Sequence, residues 1–116
     1  MVPAFEERSD GSWELPLPPD ASVQSVDAVR GDFVVKIRTG DAVIDAYCGR
    51  PASPDQLREL VGSRVTRIVA TADGSLRLRT DRHEVVVPPG DTEAWEIRTS
   101  DDILAVSEAG GGLAIF

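Results

Sequence analysis

A short tract in which cationic and apolar residues alternate occurs twice in this chain of 116 residues. The first copy is KIRTGD, residues 36–41, and the second is RLRTDR, residues 77–82, which begins 41 positions later. A β-rich run precedes each copy and another follows it, so the spacing predicts one supersecondary unit used twice, over about residues 23–50 and 62–90. Such a chain is expected to fold as two similar halves, followed by C-terminal strands over residues 93–116.

Apolar and polar residues alternate with a period of two through most of the chain, as they do in strands that bury one face. Phe33, Val35 and Ile37 form one such series, and Trp95 and Ile97 belong to another. Clusters of Gly, Asp and Pro separate the series and are typical of hairpin turns. The pattern predicts an all-β fold of about nine short strands in antiparallel meanders, forming a small sandwich or a partly open barrel.

One short helix is predicted between the two halves. Ser53 can cap its N terminus, and Pro54 suits the first helical position. Leu57, Leu60 and Val61 would then share one apolar face. A core-packing role, in which this face covers an open end or face of the sheet, is favoured over a partner-binding groove.

Residues 1–22 precede a single β domain predicted over residues 23–116, and they are expected to form an extended arm. Pro16 and Pro19 restrict the backbone around them to extended conformations. The same two prolines match the P-x-x-P pattern that adaptor domains bind, but no basic anchor residue lies beside them. An edge strand or a linker is the expected structure of this segment.

Acidic residues outnumber basic ones, with 20 Asp and Glu against 12 Lys and Arg and a formal net charge of -8. This charge repels nucleic acids and anionic membrane surfaces, so neither is an expected partner. A basic protein is the partner class that suits it. The same charge would also serve simply to keep a small domain soluble and monomeric.

A cytoplasmic location is expected. Cys48 is the only cysteine, so the chain forms no internal disulfide. Residues 1–8 carry neither the basic region nor the apolar run of a secretion signal. No apolar stretch approaches the ~20 residues that cross a bilayer.

Two side chains could carry chemistry near neutral pH, and neither is predicted to do so. His83 is the only histidine and stands in a polar hairpin turn, without the second histidine or thiolate cluster that a metal site would use. Cys48 stands at a strand end with no recognisable adjacent base, so a buried structural cysteine is expected. The sequence therefore assigns no catalytic, cofactor-binding or metal-ligating residue.

Neighbouring carboxylates and glycines also have structural explanations. Glu93 and Glu96 are an odd number of positions apart and would face opposite sides of a strand. Asp101 and Asp102 suit a turn. The glycine run at residues 110–112 lacks the helix and the Lys-Ser/Thr pair of a phosphate loop, so it is predicted to be a hairpin turn.

The outward positions of the repeated tract carry Lys36, Arg38, Arg77 and Arg79. These four cations could form a basic stripe on an otherwise acidic protein. Pairing with Asp or Glu on neighbouring strands is the favoured interpretation.

Three segments near the C terminus resemble a signature known from a protein family: residues 93–97 (EAWEI), 103–106 (ILAV) and 111–116 (GGLAIF). They are similar to an uncharacterised family of small bacterial proteins that typically read Tyr-Glu-Ala-Trp-Glu, then a glycine-rich turn, then Gly-Gly-Glu-Leu-Ala-Val-Trp. The chain departs from this pattern at Thr92, where the family usually has Tyr, and at Gly112, where Glu is common. The resemblance implies a compact, mostly β cytosolic protein, and it transfers no activity and no catalytic residue.

Two functional hypotheses follow from charge, size and the lack of an assigned site. The first is a non-enzymatic binding or inhibitory protein, for example an immunity-type protein whose acidic surface docks on a basic toxin. The second is a small-molecule binder or enzyme with a β-lined pocket, which would need Trp95, Tyr47 and several polar groups to converge on one cavity.

Overall fold

The computed structural model describes residues 4–30, 32–40, 42–49, 54–90, 94–100, 102–108 and 112–116. Some residues named in the predictions of the helix cap, the carboxylate pairs and the glycine turn lie outside the described residues: Ser53, Glu93, Asp101, Gly110 and Gly111. The described elements are β1 (Glu6–Glu7), β2 (Trp13–Leu15), β3 (Ser22–Val29), β4 (Asp32–Thr39), β5 (Ala42–Cys48), α1 (Pro54–Arg58), β6 (Val65–Ala70), β7 (Leu76–Thr80), β8 (Glu84–Val87), β9 (Trp95–Arg98), β10 (Ile103–Glu108) and β11 (Gly112–Ile115). In this part of the chain, no helix has the length and apolar character needed to span a bilayer.

The described strands pair antiparallel in two sheets. The first sheet has the order β1-β2-β6-β7-β8, and the second has the order β11-β10-β9-β5-β4-β3. Neither sheet closes into a barrel within the described residues, so the all-β prediction is confirmed with a sandwich arrangement. The meander β3-β4-β5, which contains KIRT, lies in the second sheet, and the meander β6-β7-β8, which contains RLRT, lies in the first.

One apolar core joins the two sheets. Each copy of the repeated tract contributes one inward residue to it, Ile37 in β4 and Leu78 in β7. The inward residues just before the copies are Val35 and Leu76, and all four side chains are at most 1% exposed. Full burial of such a side chain contributes roughly 1.5–3 kcal/mol. The alternation visible in the sequence therefore supplies much of the attraction between the sheets.

Trp95 links the sheets by a hydrogen bond as well as by packing. Its side chain on β9 is 2% exposed, which confirms the inward orientation indicated by its alternation with Glu96. The Trp95 Nε1–H donates to the carbonyl oxygen of Gly74, in the β6–β7 turn of the first sheet, at 2.9 Å. The bond satisfies the one polar group of the buried indole.

Helix α1 ends earlier than the sequence indicated. Leu57 and Leu60 are fully buried in the core, which agrees with the core-packing role predicted for the helix. The chain leaves the helix after Arg58, and the backbone N–H of Ser63 donates to the carbonyl oxygen of Leu60 at 2.8 Å. Val61 lies in this turn and is 46% exposed, so the prediction that it shares the buried face is wrong.

The N-terminal segment contributes β1 and β2 to the edge of the first sheet. In β2, Leu15 pairs with Ile68 of β6, and both Phe5 and Leu15 are buried in the core. Strands of two and three residues are too short to show alternation. The sequence therefore indicated about nine strands where the described residues form eleven.

Candidate functional site

The outer face of the first sheet carries a shallow groove of about 250 Å³. Arg67, Arg77 and Arg79 line it together with the carboxylates of Asp10 and Glu84. The three arginines come from the adjacent strands β6 and β7, whose opposite faces are buried in the core. These charges are therefore supported by a packed sheet rather than by loops.

A β-bulge places Arg67 on this face. Val65 pairs with Thr80, but the next pair is Arg67 with Arg79, so Thr66 is the extra residue. The Thr66 hydroxyl donates to the carbonyl oxygen of Arg79 at 3.1 Å. Strict alternation from Val65 would direct Arg67 inward. The sequence pattern therefore predicted an outward orientation for Arg77 and Arg79 of β7 but not for Arg67. Bulges re-aim side chains in this way and are common beside functional sites.

Glu14, on β2, holds two arginines beside the groove. The Arg67 guanidinium donates to both carboxylate oxygens, from Nε at 3.2 Å and from Nη2 at 2.7 Å. Nη2 of Arg8 lies 3.1 Å from Oε1 of the same carboxylate. The hydrogen bond from Arg67 is the largest cause that lowers the pKa of Glu14, and it raises the pKa of Arg67 in turn. A bidentate pair of this kind restricts both side chains, so Arg67 is already oriented.

Arg77 and Arg79 of β7 differ in their partners. Nη1 of Arg77 lies 3.0 Å from Oε1 of Glu84 on β8, which confirms the favoured cross-strand pairing for this arginine. Glu84 stands opposite Arg79 in the strand register, yet Arg79 forms no ion pair within 4.0 Å with any residue that the structure describes. Lys36 and Arg38 lie on β4 of the second sheet, so the four outward cations do not form one stripe.

In the described part of the chain, four exposed carboxylates lie at one end of the sandwich, here called the acidic end: Asp10, Asp32, Asp73 and Glu108. Asp10 and Asp73 occupy the β1–β2 and β6–β7 turns, which touch each other. Asp32 begins β4 and Glu108 ends β10. The start of β9 lies at the same end of the second sheet as these two residues, and the hydrogen bond from Trp95 joins it to the β6–β7 turn. All four carboxylates therefore lie at one end of the sandwich.

The two aspartates in the turns are held in the charged form. The backbone N–H of Ser12 donates to Asp10 at 2.9 Å, and that of Ser75 donates to Asp73 at 3.0 Å. Hydroxyl groups donate as well, from Ser12 to Asp10 and from Thr71 to Asp73. The hydroxyl bonds are the largest causes that lower the pKa of both carboxyl groups. Asp10 and Asp73 therefore keep their charges to a lower pH than ordinary aspartates would.

His83 and Cys48 both have structural environments. Nε2 of His83 lies 3.3 Å from Oε2 of Glu59, so the β7–β8 turn lies beside the turn that follows α1. Cys48 is fully buried at the end of β5, and burial raises the pKa of its thiol to about 12. A thiol with this pKa is protonated at neutral pH and is a poor nucleophile. No group of three His, Cys, Asp or Glu side chains arranged to hold a metal occurs among the described residues.

Cys48 should react with a thiol reagent only after unfolding. We expect Ellman's reagent, at about pH 8, to label the native protein at least about 100-fold more slowly than the urea-unfolded chain, in which the thiol pKa returns to roughly 8.5. Cys48→Ser is the control and should give no signal in either state. Fast labelling of the native protein would mean that the thiol is accessible.

Trp95 and Tyr47 lie on opposite faces of the second sheet. In the register of β5 and β9, Cys48 pairs with Trp95 and Tyr47 pairs with Glu96. Trp95 therefore points into the core, and Tyr47 points to the outer face. The two side chains do not share an interior pocket, which is the arrangement that the second functional hypothesis requires.

Comparison with known proteins identifies the family of this chain. The model of DUF6188, a family of unknown function, matches residues 9–116. The chain belongs to this family, and the resemblance to an uncharacterised family is confirmed to that extent. No curated protein and no solved structure matches the chain.

Proposed function

We propose that this member of a family of unknown function is a non-enzymatic cytosolic binding protein of the inhibitory, immunity type, which docks its acidic end on a basic protein. The observation that carries the proposal is the placement of four exposed carboxylates, with Asp10 and Asp73 held ionised, at one end of a chain of net charge -8. A face of one sign attracts an oppositely charged partner over long range and raises the rate of association.

Cations near the acidic end reduce its charge without cancelling it. Arg8 follows β1, close to Asp10, and its guanidinium is already bonded to Glu14. Arg30 lies in the β3–β4 turn, two positions before Asp32. Arg67 and Arg77 also lie near enough to lower the pKa of Asp10 and Asp73, respectively, and their guanidinium groups are bonded to Glu14 and Glu84.

The packing of the interior supports surface binding over the alternative of an enzyme or small-molecule binder with a β-lined pocket. Ile37, Ile44 and Ile97 are at most 1% exposed and belong to one apolar cluster between the sheets. Trp95 is part of this cluster, whereas Tyr47 lies on the outside. A close-packed interior leaves the outer surface as the place for recognition.

The proposal is tested by capturing the partner from a lysate of the native cells and then titrating the purified partner. Association should weaken strongly between about 0.1 and about 1 M salt, because the screening length falls from about 10 Å to about 3 Å. Asp10→Asn and Asp73→Asn should each slow association roughly 2- to 5-fold. In both variants the amide oxygen preserves the hydrogen bonds of the turn and removes the charge.

Asp102→Asn is the matched control. Asp102 is exposed in the β9–β10 turn, at the opposite end of the sandwich, so its replacement removes one charge far from the proposed interface and should leave association unchanged. All three variants should keep the β-rich circular dichroism of the wild type, with a small loss of stability in Asp10→Asn and Asp73→Asn because a neutral amide accepts weaker hydrogen bonds than a carboxylate. Association that is insensitive to salt, or equal slowing by Asp102→Asn, would contradict docking through the acidic end.

A further inference from the structure

We propose that the groove on the outer face of the first sheet binds the phosphate group of a small molecule between Arg67 and Arg79. Asp10 lines the groove and also belongs to the acidic end, but the two arginines proposed to bind phosphate lie on the sheet face and take no part in the proposed docking on a basic protein. It rests on the register of β6 and β7, on the donors that the arginines retain, and on the balance of charge around the groove.

Two cations stand directly opposite each other on neighbouring strands. Arg67 pairs with Arg79 across β6 and β7, and β-carbons of opposed residues lie about 4.5–5.5 Å apart. Like charges in this relationship destabilise a sheet. The bulge at Thr66 produces the opposition, because without it Arg67 would face the core. An anion bound between the two guanidinium groups would replace the repulsion with two attractive contacts.

Both arginines retain hydrogen-bond donors. A guanidinium has five N–H groups, and Arg67 gives one from Nε and one from Nη2 to Glu14. Three therefore remain on Arg67. Arg79 makes no ion pair with a described residue, so its whole planar fork is available. The planar guanidinium groups of Arg67 and Arg79 can donate N–H hydrogen bonds from two sides. This arrangement suits a phosphate, because each of its oxygens can accept more than one hydrogen bond.

The carboxylates around the groove are already bonded. Glu14 is held by Arg67 and Arg8, and Glu84 is held by Arg77. Asp10, which also lines the groove, accepts hydrogen bonds from Ser12 in its own turn.

Among the residues that line the groove, three arginines (Arg67, Arg77 and Arg79) meet two carboxylates (Asp10 and Glu84), so one positive charge is left over. The whole protein has a net charge of -8, which repels the many phosphates of a nucleic acid. A compact ligand with a single phosphate is attracted by the local excess of positive charge, and the net charge of the protein repels it much less than it repels a nucleic acid. The charge balance therefore favours a small phosphate compound over a polynucleotide.

Inorganic phosphate is the first probe, titrated at low salt into the 15N-labelled full chain. Saturable shifts are expected at the backbone amides of residues 66–68 and 77–79 and at the Arg79 Nε–H, with a Kd on the order of 1–10 mM. Acetate, with one charge and two oxygens, should bind at least about fivefold more weakly. A single-stranded oligonucleotide should not displace phosphate.

Arg79→Gln should weaken phosphate binding at least about tenfold, because it removes a charged fork that no other described residue engages. Arg38→Gln is the matched control, since Arg38 occupies the equivalent position in the first copy of the repeated tract, on the other sheet, and its replacement should have no effect. Shifts that do not saturate, acetate binding as tight as phosphate, tighter binding of the oligonucleotide, or an unchanged Kd in Arg79→Gln would each overturn the assignment. The assay contains no protein partner, so its result is separable from that of the docking experiment.

Discussion

Trp95→Ala should lower the free energy of unfolding by roughly 3–5 kcal/mol, a large part of the stability of a domain of this size. The indole is 2% exposed between the sheets, and its removal would leave a cavity that the surrounding strands can only partly fill. It would also leave the carbonyl oxygen of Gly74 without its indole donor. Urea unfolding followed by circular dichroism measures the effect, and the fluorescence of Trp13 provides a second probe.

Trp95→Phe separates packing from hydrogen bonding and serves if the alanine variant does not fold. Phenylalanine keeps most of the buried apolar surface but lacks the N–H donor, so we expect a loss of roughly 1–3 kcal/mol. The two losses together identify Trp95 as an anchor that joins the sheets. Wild-type stability in both variants would contradict its buried position.

Leu57→Ala should cost roughly 2–5 kcal/mol. Helix α1 has only five residues, and a helix of that length is not stable in water without tertiary contacts. Leu57 and Leu60 provide those contacts and are fully buried. Chemical denaturation of the variant should show a lower midpoint with little change in the denaturant slope, because the remaining core still unfolds cooperatively.

Val61→Ala is the control for the helix. Val61 is 46% exposed in the turn after α1, so its truncation should change stability by no more than about 0.5 kcal/mol. The sequence pattern predicted that Leu57 and Val61 share one buried apolar face. In that arrangement the two substitutions would lower the free energy of unfolding by similar amounts. Equal losses would therefore support the longer helix over the one described.

The candidate groove shows how far residue patterns extend toward a site. Arg77 and Arg79 are outward in the structure, as their alternation with Leu76 and Leu78 indicates. The partner of Arg77 could not be predicted from this alternation. Glu84, on the neighbouring strand, stands opposite Arg79 in the register, yet its carboxylate bonds Arg77. Register depends on pairing between separate strands, which local alternation does not encode.

For most side chains, the alternation along the strand is enough to predict which face of the sheet they take. The two copies of the repeated tract bury Ile37 and Leu78 and expose the cations beside them, because a strand directs successive residues to opposite sides whatever it pairs with. Three other features depend on contacts between separate segments: the exposure of Val61, the outward position of Arg67 and the bond from Trp95 to Gly74. Each depends on segments that meet only in the folded chain: a turn for Val61, a bulge for Arg67 and a carbonyl group 21 positions away for Trp95. In each case, hydrogen bonds of the folded chain set the position of the residue, and the local alternation of residues does not encode those bonds.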